Sequence, residues 1–336
     1  MAAADSACRA EADSRGPLSV DEWRAVFAAD GSLPAARWKD LERRIFATGL
    51  AKEVRAEAWR YLLDYRKFDR PEGEQLRLIG NLREEYAMYV RQWSSFTPTQ
   101  LKLFRSFREA KDVIEKDVRR TDRSLPEFEQ DESEMLQMLH RALMTHAVYN
   151  VDLGYTQGMN DRLALILLLM HDEADAFWCF EGLLAKLPNY FEPGSPEVLQ
   201  LKTQLSNLLS VVDPELSEYF ENPDHDLLLA SFAYSRFLLH FKRDFDPADA
   251  MRLWEAIWTC PHTSFFHVFV AAAMLVRVRA DILGKDISEV MNLFQKHFEP
   301  GDVEELLQRA TWLFHYYQAL KACNRDGPQS CPASIT

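Results

Sequence analysis

Apolar residues along this chain recur mostly at steps of three and four, the period of an amphipathic α-helix. The clearest stripe runs through Leu76, Ile79, Leu82, Tyr86, Tyr89 and Trp93. Val54, Ala58 and Leu62 predict a helix over Lys52 to Tyr65, and Leu136, Leu139 and Leu143 predict one that stops near Asn150. Start signals accompany the stripes. Ser19 with Glu22 is a capping-box pattern ahead of a short helix, and Asp30-Gly31 then turns the chain. Thr97-Pro98 combines a cap with proline at the first helical position and opens a helix running to about Val118. Leu125-Pro126 marks a loop. A link from Val151 to Tyr155 leads into a helix ending near His171, and its almost continuous apolar residues predict a central place in the core. Further helical patterns centre on Trp178, Leu205, Leu238, Trp254, Val270, Leu293 and Leu306, punctuated by prolines. No segment alternates like a strand, and no fixed-period repeat is present. The pattern predicts an all-α, multi-helix fold with no significant β-sheet. It divides into a disordered N-terminus (1–17), a short helical leader (18–44), one helical domain (45–322) and a disordered tail (323–336).

Composition narrows the function classes. Apolar residues make up 47% and charged residues 27% of the 336, which is ordinary for a folded soluble domain. A net charge of −13 gives no general attraction for nucleic acid or anionic lipid. The stretch from Lys102 to Arg123 is the local exception, with eight basic and five acidic residues. Most of these charges suit a solvated helix face with pairs one turn apart; the excess suits a site for an anionic group. The five cysteines are scattered without a CxxC, so neither a zinc site nor a disulfide framework is predicted. Cys179 and Cys260 lie in apolar surroundings and read as buried thiols in a reducing compartment. The first 17 residues hold no apolar core of a leader peptide, and Leu163–Met170 and Phe265–Val276 are too short to span a bilayer. These features predict a cytoplasmic protein with no transmembrane segment, whose membrane contact comes through partners.

Familiar catalytic motifs are missing: there is no GxxxxGK[ST], HExxH or GxSxG. No two of the nine histidines stand at ligand spacing on one helix face, so no metal is predicted. His140 and His146 read as packed or capped.

Two segments carry candidate chemistry. In Ile114-Glu115-Lys116-Asp117-Val118-Arg119-Arg120-Thr121, Ile114 faces the core and Asp117 lies one turn before Arg120. A carboxylate at that spacing can hold a guanidinium by a charge-assisted bond, and Arg120 falls where the helix gives way to a loop. Taken alone, the pair reads first as a common surface bridge. In Gly154-Tyr155-Thr156-Gln157-Gly158-Met159-Asn160-Asp161, two glycines frame a polar residue at the start of the most apolar helix. Gly158 admits a close backbone approach, and Gln157 offers a donor and an acceptor at a helix N-terminus. Taken alone, this segment reads first as plain helix initiation, with Asn160 or Asp161 helping to cap.

Taken together, Ile114, Asp117 and Arg120 match an IxxDxxR motif, and Tyr155 with Gln157 matches a YxQ motif. In this order and spacing they resemble the TBC-domain Rab GTPase-activating proteins. The resemblance extends upstream to Gly49-Leu50 and to Arg55 with Trp59, an RxxxW pattern. Downstream it includes Asp175–Phe180 and Arg252–Glu255, so that it covers residues 49–260. The wording of Ile114–Arg123 and Asp175–Phe180 is most similar to the branch acting on late-endosomal and vacuolar Rabs. Arg162 and Ala164 depart from the family pattern. Residues 1–44 are expected to hold none of the N-terminal lipid- or Rab-binding domains of longer relatives.

The resemblance implies a GTPase-activating protein that lends Arg120 and Gln157 to a Rab-family GTPase in its GTP form. Arg120 would stabilise charge on the transferring phosphoryl group, and Gln157 would orient the attacking water. Asp117 would aim Arg120, with Ile114 anchoring its helix, and Tyr155, Gly158 and Asp161 would set the Gln157 loop. Arg55 and Trp59 would be structural supports. GTP and Mg²⁺ would belong to the partner, so no cofactor and no nucleotide hydrolysis of its own are implied. Peripheral contact with endomembranes would come through the Rab. Two other classes fit the same chain: a TBC-fold scaffold that binds a Rab without turnover, and an unrelated helical adaptor. Arg162 is expected to point to the surface beside the catalytic groove and to help choose the partner, or to snorkel over apolar surface.

Overall fold

The computed structural model describes residues 16–186, 196–296 and 300–326, and they hold seventeen α-helices and no strand. Of the ends expected to be disordered, 1–15 and 327–336 lie outside the described residues, whereas 323–326 continue the last helix, which ends at Asp326. The one β-type contact is an isolated parallel bridge between Leu18 and Leu50. The chain divides into two compact units, 1–193 and 194–336.

The first unit contains α1 (Val20–Ala25), α2 (Ala35–Thr48), α3 (Lys52–Leu62), α4 (Glu72–Ser94), α5 (Pro98–Leu103), α6 (Arg105–Arg120), α7 (Glu134–Tyr149), α8 (Met159–Met170) and α9 (Glu173–Lys186). The capping box of Ser19 and Glu22 forms as its residues dictate, and so does one of Thr97 with Gln100. The helix predicted from Thr97 to Val118 is two helices. It breaks at Phe104, whose ψ of 76° is not helical. The Phe104 ring packs with Phe96 and Phe107, so an aromatic cluster outweighs one turn of helix. On α4 the predicted stripe is half-buried rather than a core face, and Leu76 is exposed.

The apolar helix α8 is central. It packs against α3, α6, α7 and α9, and residues 163–167 are fully buried. Arg162 is buried with them, so the surface position expected for it is wrong. A helix packed on four sides has no free face for a side chain in its first turns.

A buried carboxylate joins three elements beside α8. Asp175 on α9 accepts from Arg60 of α3 at 2.9 Å, from Tyr65 at 2.6 Å and from Arg83 of α4 at 2.7 Å. Burial works against its charge, but the bonds from Tyr65 and Arg83 and the nearby Arg60 outweigh it and hold the carboxyl below the usual carboxylate range. Glu173, two residues earlier, joins Arg141 of α7 and Tyr86 of α4. Trp59 is fully buried on α3, and Arg55 donates to the Leu50 carbonyl at 3.3 Å.

The second unit contains α10 (Pro196–Val212), α11 (Pro214–Glu221), α12 (Asp226–Leu239), α13 (Pro247–Thr259), α14 (Phe266–Arg277), α15 (Arg279–Ile282), α16 (Ile287–Lys296) and α17 (Val303–Asp326). Its centre is α14, packed against α10 and α17 and buried from Phe266 to Leu275. No described helix is long and apolar enough to cross a membrane.

Candidate functional site

The two motif segments meet in the first unit, at the end of α6 and the loop that starts α8. On α6, Ile114 is fully buried and Asp117 is 2% exposed, so the inward face fixes the helix and buries one carboxylate. Arg120 is the last helical residue, and its side chain is 56% exposed. Its Nη2 lies 2.7 Å from Asp117 Oδ1. A cation at a helix C-terminus is also favoured by the dipole. The guanidinium is thus held at one edge by a buried anion, with the rest of its donors toward solvent.

The other oxygen of Asp117 reaches across. Tyr155 donates to Asp117 Oδ2 at 2.7 Å and lies 3.1 Å from Asn160 Oδ1. Burial and the adjacent Asp117 carboxylate push the tyrosine hydroxyl well above the ordinary phenol range, so it remains a donor. Asn160 completes the link. Its Oδ1 accepts from the Gly158 amide at 3.1 Å, and its Nδ2 donates to Thr121 Oγ1 at 2.9 Å. Thr121 donates in turn to the Asp117 carbonyl at 2.7 Å. Gly158 caps α8 with φ 104°, a conformation that disfavours any side chain there. Gln157 just before it is exposed. Asp161 is buried in the first turn of α8.

The arrangement therefore brings Ile114, Asp117, Arg120, Tyr155, Gly158 and Asp161 into one network or its immediate frame. It leaves two exposed polar side chains, Arg120 and Gln157, on a rigid buried support. Arg55 and Trp59 sit on α3, which packs against α8. Sequence reasoning missed Thr121 as a member and gave Asn160 only a capping role. Both are polar residues buried within a few positions of the motifs, which is the signal that could have found them.

Beside Arg120 the α6–α7 face opens into a cleft of about 570 Å³, lined by Glu115, Val118, Arg119, Arg123, Leu136 and His140 among others. The charges are largely paired: Arg123 with Asp131 at 2.5 Å, and Lys111 with Glu115. Among the described residues no group of three His, Cys, Asp or Glu side chains could hold a metal ion. Cys179 is fully buried and Cys260 partly so, and burial pushes both thiols up, to about 11 for Cys260. Neither is poised as a nucleophile.

Residues 52–283 match the Rab-GTPase-TBC domain family. The chain is 33% identical over 309 residues to TBC1 domain family member 17 of Homo sapiens, covering 91% of this chain and 47% of the relative. It is 32% identical over 299 residues to GTPase-activating protein gyp7 of Schizosaccharomyces pombe, covering 83% and 39%. The chain thus spans about half the length or less of these curated relatives. Among solved structures, the Ypt/Rab-GAP domain of Gyp1p superposes with a TM-score of 0.75 at 21% identity, over 89% of this chain and 98% of that one. That likeness speaks for the fold.

Proposed function

The chain belongs to the Rab-GTPase-TBC domain family, and from that membership and the site geometry we propose that it is a GTPase-activating protein for a Rab-family small GTPase in its GTP form. Hydrolysis by a small GTPase is limited by charge stabilisation and by the position of the attacking water. An arginine supplied from outside is worth about 10³–10⁵ in rate. Arg120 is that arginine. Its planar fork can donate to phosphoryl oxygens while one edge stays on Asp117. Gln157 orients the water, in place of the GTPase's own glutamine. GTP and Mg²⁺ come with the partner, and so does any contact with an endomembrane.

One observation carries the reading. A single buried carboxylate, Asp117, bonds Arg120 through one oxygen and Tyr155 through the other, both at 2.7 Å. A surface bridge would not need burial, and a helix start would not need a bond to a distant helix end. The support suits two side chains that must arrive together at one reacting centre.

GTP hydrolysis across a panel of GTP-loaded Rabs tests it, with late-endosomal and vacuolar members first because the motif wording is closest to that branch. Catalytic acceleration of at least one Rab is expected. Binding without acceleration would instead make the chain a scaffold, and neither would make it an adaptor.

A further inference from the structure

His146 sits on α7, fully buried, between two oxygens. Its Nε2 is 2.9 Å from the carbonyl of Gly154, and its Nδ1 is 2.6 Å from Oε1 of Glu181 on α9. A carbonyl can only accept, so Nε2 carries a proton. A carboxylate can also only accept, so the 2.6 Å contact needs a second proton, on Nδ1 or on the carboxyl. The pair therefore holds one proton more than a neutral imidazole beside a carboxylate. Without it, a nitrogen lone pair would face a carboxylate oxygen in a site where the side chains are 0% and 10% exposed. One of the two bonds would then have to break.

We infer that His146 and Glu181 form a proton-held tether that positions the Gln157 loop, an inference that rests on the role proposed above for Gln157. Gly154 begins that loop. Its amide donates to Asn150 at 2.8 Å, its carbonyl accepts from His146, and the next residue, Tyr155, is bound to Asp117. The loop is thus pinned from α7, α9 and α6 before it reaches Gln157. Phe180 stands edge-on to the imidazole at 5.6 Å and limits its rotation. Only Glu181 is an ion partner of the ring among the described residues. His146 touches no substrate; it is a positioning residue, and the carbonyl of Gly154 transmits its effect.

The test uses three variants, read by stimulated GTP hydrolysis and by backbone amide exchange over residues 154–158. His146→Phe keeps a ring but loses both bonds. It should lower kcat by about tenfold or more at unchanged KM, because orientation is lost and docking is not. Exchange over 154–158 should rise with it. Glu181→Gln puts an amide donor against Nδ1, so a neutral imidazole can keep both bonds. Glu181→Gln should therefore keep kcat and loop protection near wild type, while Glu181→Leu, which removes the partner of Nδ1, should lose both. If His146→Phe does not fold, the contrast between Glu181→Gln and Glu181→Leu carries the test. Wild-type kcat and wild-type exchange in His146→Phe, or equal kcat and equal exchange in Glu181→Gln and Glu181→Leu, would overturn the tether. If Gln157→Ala leaves hydrolysis unchanged, the role of Gln157 fails separately, and the exchange measurements decide the tether alone.

Discussion

Asp117→Asn separates the aiming of the arginine from its charge. The stability cost follows from the two bonds. Arg120 is more than half exposed, so its pair with Asp117 is screened and contributes ~0–1 kcal/mol. The Tyr155 bond is buried and charge-assisted, worth ~1.5–3 kcal/mol, and an asparagine oxygen would keep only the ~0.5–1.5 kcal/mol of a neutral bond. The sum is about 1–2 kcal/mol, a fall in melting temperature of about 2–8 °C for a domain of this size. Stimulated hydrolysis should drop further, by about 10–100-fold, because an unaimed guanidinium forfeits part of the 10³–10⁵ that a finger supplies. Single-turnover hydrolysis in a mutant cycle divides this loss. In an Arg120→Ala background, adding Asp117→Asn should cost only what Tyr155→Phe costs by itself, since the arginine route is gone. If Asp117→Asn instead costs its full amount in both backgrounds, Asp117 does not act through Arg120 and the aiming argument is refuted.

Other outcomes follow from the same geometry. Gln157→Ala should reduce stimulated hydrolysis strongly and leave melting unchanged, because the side chain is exposed. A Rab lacking its own catalytic glutamine should still respond to the wild-type chain, and complete insensitivity would contradict a supplied glutamine. Asp175→Ala should cost ~3–5 kcal/mol, since it strips a buried charge from Arg60, Tyr65 and Arg83. The folded state holds this carboxyl below its ordinary 3.8, so its stabilisation is present above that value and is lost as pH falls through the folded value. Acid melting curves should accordingly be steeper for the wild type than for Asp175→Asn, and parallel curves would count against the network. Gly182→Ala would drive a methyl group into the Leu63 carbonyl oxygen, a backbone atom that cannot swing aside, and should cost ~1–3 kcal/mol. Wild-type melting by circular dichroism would mean that α9 can lift away freely.

Much of this molecule is legible in the chain because helices write their period into the sequence. The near-continuous apolar run of α8 announced its central place, and the two motif segments, read together, are ones that the fold brings into contact. What escaped was whatever depends on distance along the chain. His146 and Glu181 are 35 positions apart, with nothing local to link them. The Phe104 break escaped because its cause is an aromatic cluster assembled in three dimensions. Arg162 misled for a related reason: a cation in a sequence reads as surface, and only packing on every side of α8 buries it. The short helix α11 is a different case. Asp213-Pro214 carries the same cap-and-proline signal as Thr97-Pro98, and Asp213 does accept from the Leu216 amide at 3.1 Å.

The central claim is that this chain turns over a Rab's GTP through Arg120. The most direct measurement is phosphate release from an excess of GTP-loaded Rab, with wild-type chain and Arg120→Lys compared at equal, substoichiometric amounts. The wild type should discharge many equivalents of GTP. Arg120→Lys should stay near the intrinsic rate, with melting intact, because an ammonium keeps the charge but not the planar fork. Equal release by both proteins, or no acceleration of any Rab by the wild type, would contradict the account.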